Sequence, residues 1–186
     1  MTPAFLAGLS HTQANMAADI LAGLESPLAT GQLTRTGAAQ ALEALAFHLR
    51  LAPGTGLSFE LEADFKPYVR MTQVSKFADP QAREYLASKG HLAAQMWRQL
   101  DGRAPADGDS LFPRSRPLAV RLEIAHSRGF HNKDLDNQVK AVLDAAQAPH
   151  GPLYHNDNWI DYIQASRRAG AEDIARLAIG ALDSAG

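Results

Sequence analysis

The chain has 186 residues, 46% of them hydrophobic, and carries a net charge of −2. That length allows one sizeable core with a small appendage. With no cysteine, disulfide frameworks and thiolate metal sites are excluded. No apolar run approaches the ~20 residues needed to cross a bilayer, and Met-Thr-Pro-Ala-Phe at the N-terminus lacks the basic flank of a secretory signal, so the expected location is the cytoplasm.

In chain order, residues 1–52 read as a helical extension. Ser10-x-x-Gln13 is a capping-box signal, followed by Met16, Ile20 and Leu24 at helical spacing. Ala38, Ala41, Leu42, Leu45 and Leu49 predict a second helix, stopped by Pro53-Gly54. The Pro53–Gly56 stretch reads as a linker, and no Gly-Lys-Ser/Thr follows that would make it a phosphate-binding loop.

From Leu57 the period changes to two. Leu57, Phe59, Leu61, Ala63 and Phe65 alternate with polar residues, predicting a half-buried strand. Asp79-Pro80 is a cap followed by a first-turn proline, and it opens a helix through Tyr85, Leu92, Met96 and Leu100. Residues 102–117 read as a loop. Leu118, Val120, Leu122 and Ile124 predict a second strand, and a polar turn runs from Ser127 to Lys133. A helix from about Asp136 to Gln147 follows, then a break at Pro149-His150-Gly151-Pro152 and a third strand from Trp159 to Ala165. The segment Ile174–Leu182 fits a helix or a strand by its own pattern. This order predicts an α/β (α+β) domain over 57–186, with a small mixed sheet flanked by helices.

Overall charge gives no support to nucleic-acid binding, which usually needs a basic surface. Locally the balance differs. Between Arg114 and Lys140 six basic side chains face three acidic ones. Lys66 with Arg70, and Arg167 with Arg168, form two further basic groups. His126, His131, His150 and His155 lack zinc spacing and are expected at the surface.

The informative stretch is Asp134-Leu135-Asp136-Asn137-Gln138-Val139-Lys140. Carboxylates at i and i+2 diverge on a helix but point the same way at an extended strand end. A helix beginning at Asp136 makes Asp136 and Lys140 an i, i+4 pair. Two oxygen ligands and an ammonium around one point suit magnesium and phosphate, and Asp157 is the candidate third acid. The competing reading is an ordinary cap and a surface ion pair.

Asp134-x-Asp136-Asn137-x-x-Lys140, continued by Ala141-Val142-Leu143-Asp144-Ala145 and a later Asp157, closely resembles the signature of RusA-type Holliday-junction resolvases. Phe65-Lys66-Pro67-Tyr68-Val69-Arg70, Asp79-Pro80 and Pro117–Val120 resemble supporting segments of that family, and the resemblance runs from residue 57 to about 181. It implies a homodimeric endonuclease that cuts four-way DNA junctions with Mg2+, leaving 5′-phosphate and 3′-hydroxyl ends in recombination and repair. It further implies Asp134, Asp136 and Asp157 as metal-binding carboxylates, Lys140 as the essential lysine and Asn137 as part of the site. Arg70, Arg128, Lys133 and Lys66 are the expected phosphate contacts. The ambiguous last segment becomes a strand. Two departures stand out: Asn156 occupies a position where the family carries an acid, and residues 1–52 lie outside the resemblance. Two alternatives are a catalytically weakened junction-binding protein and, less favoured, a D-x-D phosphotransferase, whose first Asp follows an apolar strand directly.

Overall fold

The computed structural model describes residues 22, 27, 30–31, 34–63, 79–101, 103, 110–113, 116–127 and 134–183. Among them are three α-helices, α1 (Arg35–His48), α2 (Pro80–Gln99) and α3 (Leu135–Ala146). Four strands, β1 (Leu57–Glu62), β2 (Leu118–His126), β3 (Ile160–Ala169) and β4 (Ile174–Ala181), form one sheet in the order β1-β4-β2-β3. β1 runs antiparallel to β4 and β2 parallel to β3, so the sheet is mixed, in agreement with the expected α+β class. Among the described residues, no helix is long and apolar enough to cross a membrane.

Chain contacts gather into two units, Met1–Gly56 with Gly180–Gly186, and Leu57–Ile179. In the first, Thr34 caps α1 by accepting from Gly37 N at 3.1 Å, and Phe47, Leu49 and Leu51 are buried. The turn at Pro53-Gly54 uses a positive φ of 75° at Gly54, which a side chain would strain. Leu51 bridges Leu182 antiparallel, Ala52 N donates to Ala181 O at 2.8 Å, and Asp183 N donates to Arg50 O at 2.9 Å. Residues 181–183 therefore pair with the segment immediately before the linker. The capping-box helix expected after Ser10 rests almost wholly on residues outside those described.

The second unit has a sheet with one apolar face. Phe59, Leu61, Val120, Leu122, Ile124, Leu177 and Ile179 are buried, as are Tyr85, Leu92 and Met96 of α2 and Val142 and Ala145 of α3. α2 and α3 pack on each other, α2 also on β1 and α3 on β3. Asp79 caps α2 through its carboxylate, which accepts from Gln81 N at 2.9 Å, and Pro80 opens the first turn as its sequence predicts. β1 ends at Glu62, earlier than the alternation through Phe65 suggests, and residues 64–78 lie outside those described.

Four side-chain hydrogen bonds seal the outer edge of β1. Gln95 accepts from Glu62 N at 2.8 Å and donates to Glu62 O at 2.9 Å. Gln99 accepts from Glu60 N at 3.1 Å and donates to Glu60 O at 2.7 Å. The match is metric: four helical residues rise ~6 Å, and two strand residues ~6.8 Å. Two glutamines one turn apart thus stand in for a neighbouring strand, which removes an edge otherwise open to pairing.

The opposite sheet face is ionic. Glu123 on β2 meets Arg168 Nε at 2.8 Å, Arg176 at 3.4 Å and Arg121 at 3.6 Å, and Arg176 also reaches Glu60 at 2.8 Å. Burial alone would raise the Glu123 carboxyl. The Arg168 hydrogen bond and the charges of Arg168, Arg121 and Arg176 outweigh it and hold the group below its ordinary value. Arg121 and Arg168, counted above among the basic residues, are thereby engaged within the sheet.

Candidate active site

α3 begins where the acidic motif sits. Asp134 is its N-cap residue, with extended backbone and no side-chain cap bond, and Leu135 is the first helical residue. Asp134 is exposed, and its Oδ2 accepts from Asn137 Nδ2 at 3.4 Å. Asp136 lies in the first turn, where the helix dipole favours its negative charge. The helix is amphipathic. Gln138, Ala141, Val142, Ala145 and Ala146 turn inward, and Asp136 and Lys140 stay exposed.

A tight segment after α3 positions Asp157. Gly151 N donates to Gln147 O at 2.8 Å and Leu153 N to Ala146 O at 3.0 Å. A Cβ at Gly151 would run into the backbone of Ala145 and Ala146, so this approach requires glycine. The buried Tyr154 hydroxyl donates to Leu143 O at 2.8 Å. Burial raises this phenol well above its usual range, and the negative charges of Asp157 and Asp144 push the same way. Asn156 Oδ1 accepts from Asn158 N at 2.9 Å and caps the 3-10 helix Asp157–Trp159. The amide that departs from the family pattern therefore closes a turn with its side-chain oxygen.

Helix and segment enclose an open pocket of about 490 Å³, lined by Leu135, Asp136, Val139, Lys140, Leu143, Asp144, Asp157 and Ala165. Two of the three proposed carboxylates and the motif lysine thus share one cavity with an apolar floor. Asp134 is not among the lining residues. The pocket also contains Asp144, for which no role was expected. Asp136 and Asp144 are eight residues apart, ~12 Å along the helix axis. Among the described residues, no group of three His, Asp or Glu side chains is placed to hold a metal ion. The donor chemistry still suits magnesium, a hard cation that takes one or two carboxylates and fills its shell with phosphate oxygens and water.

Lys140 pairs with Asp144, its Nζ lying 3.4 Å from Oδ1, an i, i+4 contact in the direction away from Asp136. The Tyr85 hydroxyl, from α2, donates to Asp144 Oδ2 at 3.0 Å. The spacing 136, 140, 144 was a signal available in the sequence; the partner on α2 was not.

His126 corrects one expectation. It is 1% exposed at the end of β2, with Nε2 2.9 Å from Gln138 Nε2 and Nδ1 3.5 Å from Asp173 Oδ1. Asp173 also accepts from Ser127 N at 2.7 Å. His126 ends a central strand, and its ring meets Gln138 in the first turn of α3. His150 and His155 are exposed as expected, and His131 lies outside the described residues. So do the four expected phosphate contacts, Lys66, Arg70, Arg128 and Lys133.

Compared with known families, residues 62–180 match the family model described as endodeoxyribonuclease RusA. No curated protein matches the chain.

Proposed function

The chain belongs to the RusA family of endodeoxyribonucleases, and from that premise we propose that it is a magnesium-dependent enzyme that resolves four-way DNA junctions as a homodimer. The observation that carries this reading is the pocket shared by Asp136, Lys140 and Asp157 within the matched stretch.

In this proposal Asp136 and Asp157, which share the pocket, hold the metal, with Asp134 the third carboxylate that the resemblance assigns. When bound, magnesium supplies a water of lowered pKa and neutralises charge on the phosphate. Asn137 steadies Asp134 through its amide, and the Lys140 ammonium faces charge that builds on the phosphate oxygens in the transition state. Leu135, Val139, Leu143 and Ala165 supply the apolar part of the pocket lining beside these groups. Lys66, Arg70, Arg128 and Lys133 are assigned to phosphate contacts that set the register on DNA. Residues 57–186 form the nuclease domain and residues 1–52 a helical extension. A two-fold dimer supplies the two symmetric cuts that resolution requires.

The test is cleavage of a synthetic four-way junction with and without magnesium, beside Asp136→Asn. The parent cuts only with the metal, and the variant falls below about one-hundredth of its rate yet still binds the junction. Parental cutting by the variant removes Asp136 from the metal site. Light scattering that finds an active monomer removes the dimer. A second reading, junction binding without cutting, draws on the amide at Asn156. Binding without cleavage in magnesium selects it.

A further inference from the structure

Asp136, Lys140 and Asp144 follow one another at single-turn spacing along α3, and all three line the pocket. Lys140 is 44% exposed at its side chain, and a surface i, i+4 pair of this kind normally does little. Asp144 differs from an ordinary surface partner. Its side chain is 21% exposed, and its two oxygens have separate duties. Oδ2 accepts at 3.0 Å from Tyr85, a residue 1% exposed in the α2–α3 contact. Oδ1 lies 3.4 Å from the Lys140 ammonium.

A hydroxyl on a buried ring has little freedom to swing, so Tyr85 fixes the plane of the carboxylate. A fixed carboxylate gives the long lysine chain one favoured direction among its many rotamers. We propose that Asp144 is a positioning residue, locked by Tyr85 across the helix interface, which keeps the Lys140 ammonium aimed along the pocket wall at a bound phosphate. Asp144 then acts through Lys140 and neither binds metal nor touches DNA. The proposal rests on the role given to Lys140 above.

Positioning a charge that acts only in the transition state affects the chemical step and leaves substrate affinity alone. For the full-length chain, Asp144→Asn lowers single-turnover junction cleavage about 10- to 100-fold, with junction Kd unchanged. Tyr85→Phe causes a smaller loss of the same kind. The decisive comparison is Lys140→Ala with and without Asp144→Asn: once the lysine is gone, losing the carboxylate costs nothing more. Full multiplication of the two losses overturns the proposal, as does an undiminished rate in Asp144→Asn.

A second measurement needs no cleavage. Competitive acetylation of the folded protein, read by mass spectrometry, compares Lys140 with Lys89, which lies on α2 outside the pocket lining. Asp144→Asn raises labelling of Lys140 several-fold and leaves Lys89 unchanged. Equal labelling of Lys140 in parent and variant overturns the inference. Should the parent cut no junction, the nuclease reading fails by itself, and the labelling still decides whether Asp144 holds Lys140. Tyr85→Phe retains the ring, so it reports on the hydroxyl even if Asp144→Asn proves poorly folded.

Discussion

Replacing Gln95 by leucine tests the edge seal on β1. The change removes two hydrogen bonds, from Glu62 N at 2.8 Å and to Glu62 O at 2.9 Å, and keeps an apolar side chain over the strand. Each bond contributes about 1 kcal/mol net. Gln95 is 6% exposed, so leucine would leave the Glu62 peptide covered and unpaired, which costs more than the bonds alone. The expected loss is about 2–4 kcal/mol, or about 5–15 °C in Tm for a chain of this size. Gln99 makes the same two bonds to Glu60 but is exposed, so water replaces what Gln99→Leu removes. Its cost should stay below about 1 kcal/mol. Urea unfolding followed by far-UV circular dichroism gives both values, with the slope checked for constancy. Equal losses at the two positions, or no loss at Gln95, would refute the argument that burial sets the value of these bonds.

Glu123→Gln should change the acid side of the stability profile. The carboxyl is held below its ordinary value of 4.5, so its contribution is complete above that pH and disappears as pH falls through the lower folded value. The parent should lose stability in that window more steeply than the variant, and parallel profiles would remove Glu123 as the cause. Asn156→Asp preserves an oxygen that accepts from Asn158 N, so the Tm should hold. Asn156→Ala loses the cap, about 1 kcal/mol, and loosens the backbone that carries Asp157. Equal Tm values for the two variants would mean the cap contributes nothing.

Much of the fold was legible because local chemistry decides it. Asp79-Pro80 starts α2 by a cap and a preset φ, independent of anything distant. Alternation over Leu57–Leu61 set the buried face of β1, and Val142, Leu143 and Ala146 of the apolar stripe set that of α3, whereas Leu135 and Val139 of the same stripe line the pocket. The acidic motif and its lysine were readable for the same reason: they are neighbours in sequence. Ile174–Leu182 was not. Its small and branched residues suit either element, and pairing with β1 decided for a strand.

What the tertiary structure alone decided depends on residues brought together from distant positions. β4 lies between β1 and β2, an order that no local period encodes. Gln95 and Gln99 look like ordinary polar helix positions until the edge of β1 is set beside them. His126 reads as one more surface histidine until the ends of β2 and α3 close over it. Asp144 acquires its meaning from Tyr85, 59 residues earlier on another helix. Sequence specifies which side chains are available at short range, through backbone preference and periodicity. Which of them meet is set by burial of the common apolar face, and that is a property of the whole sheet and its helices.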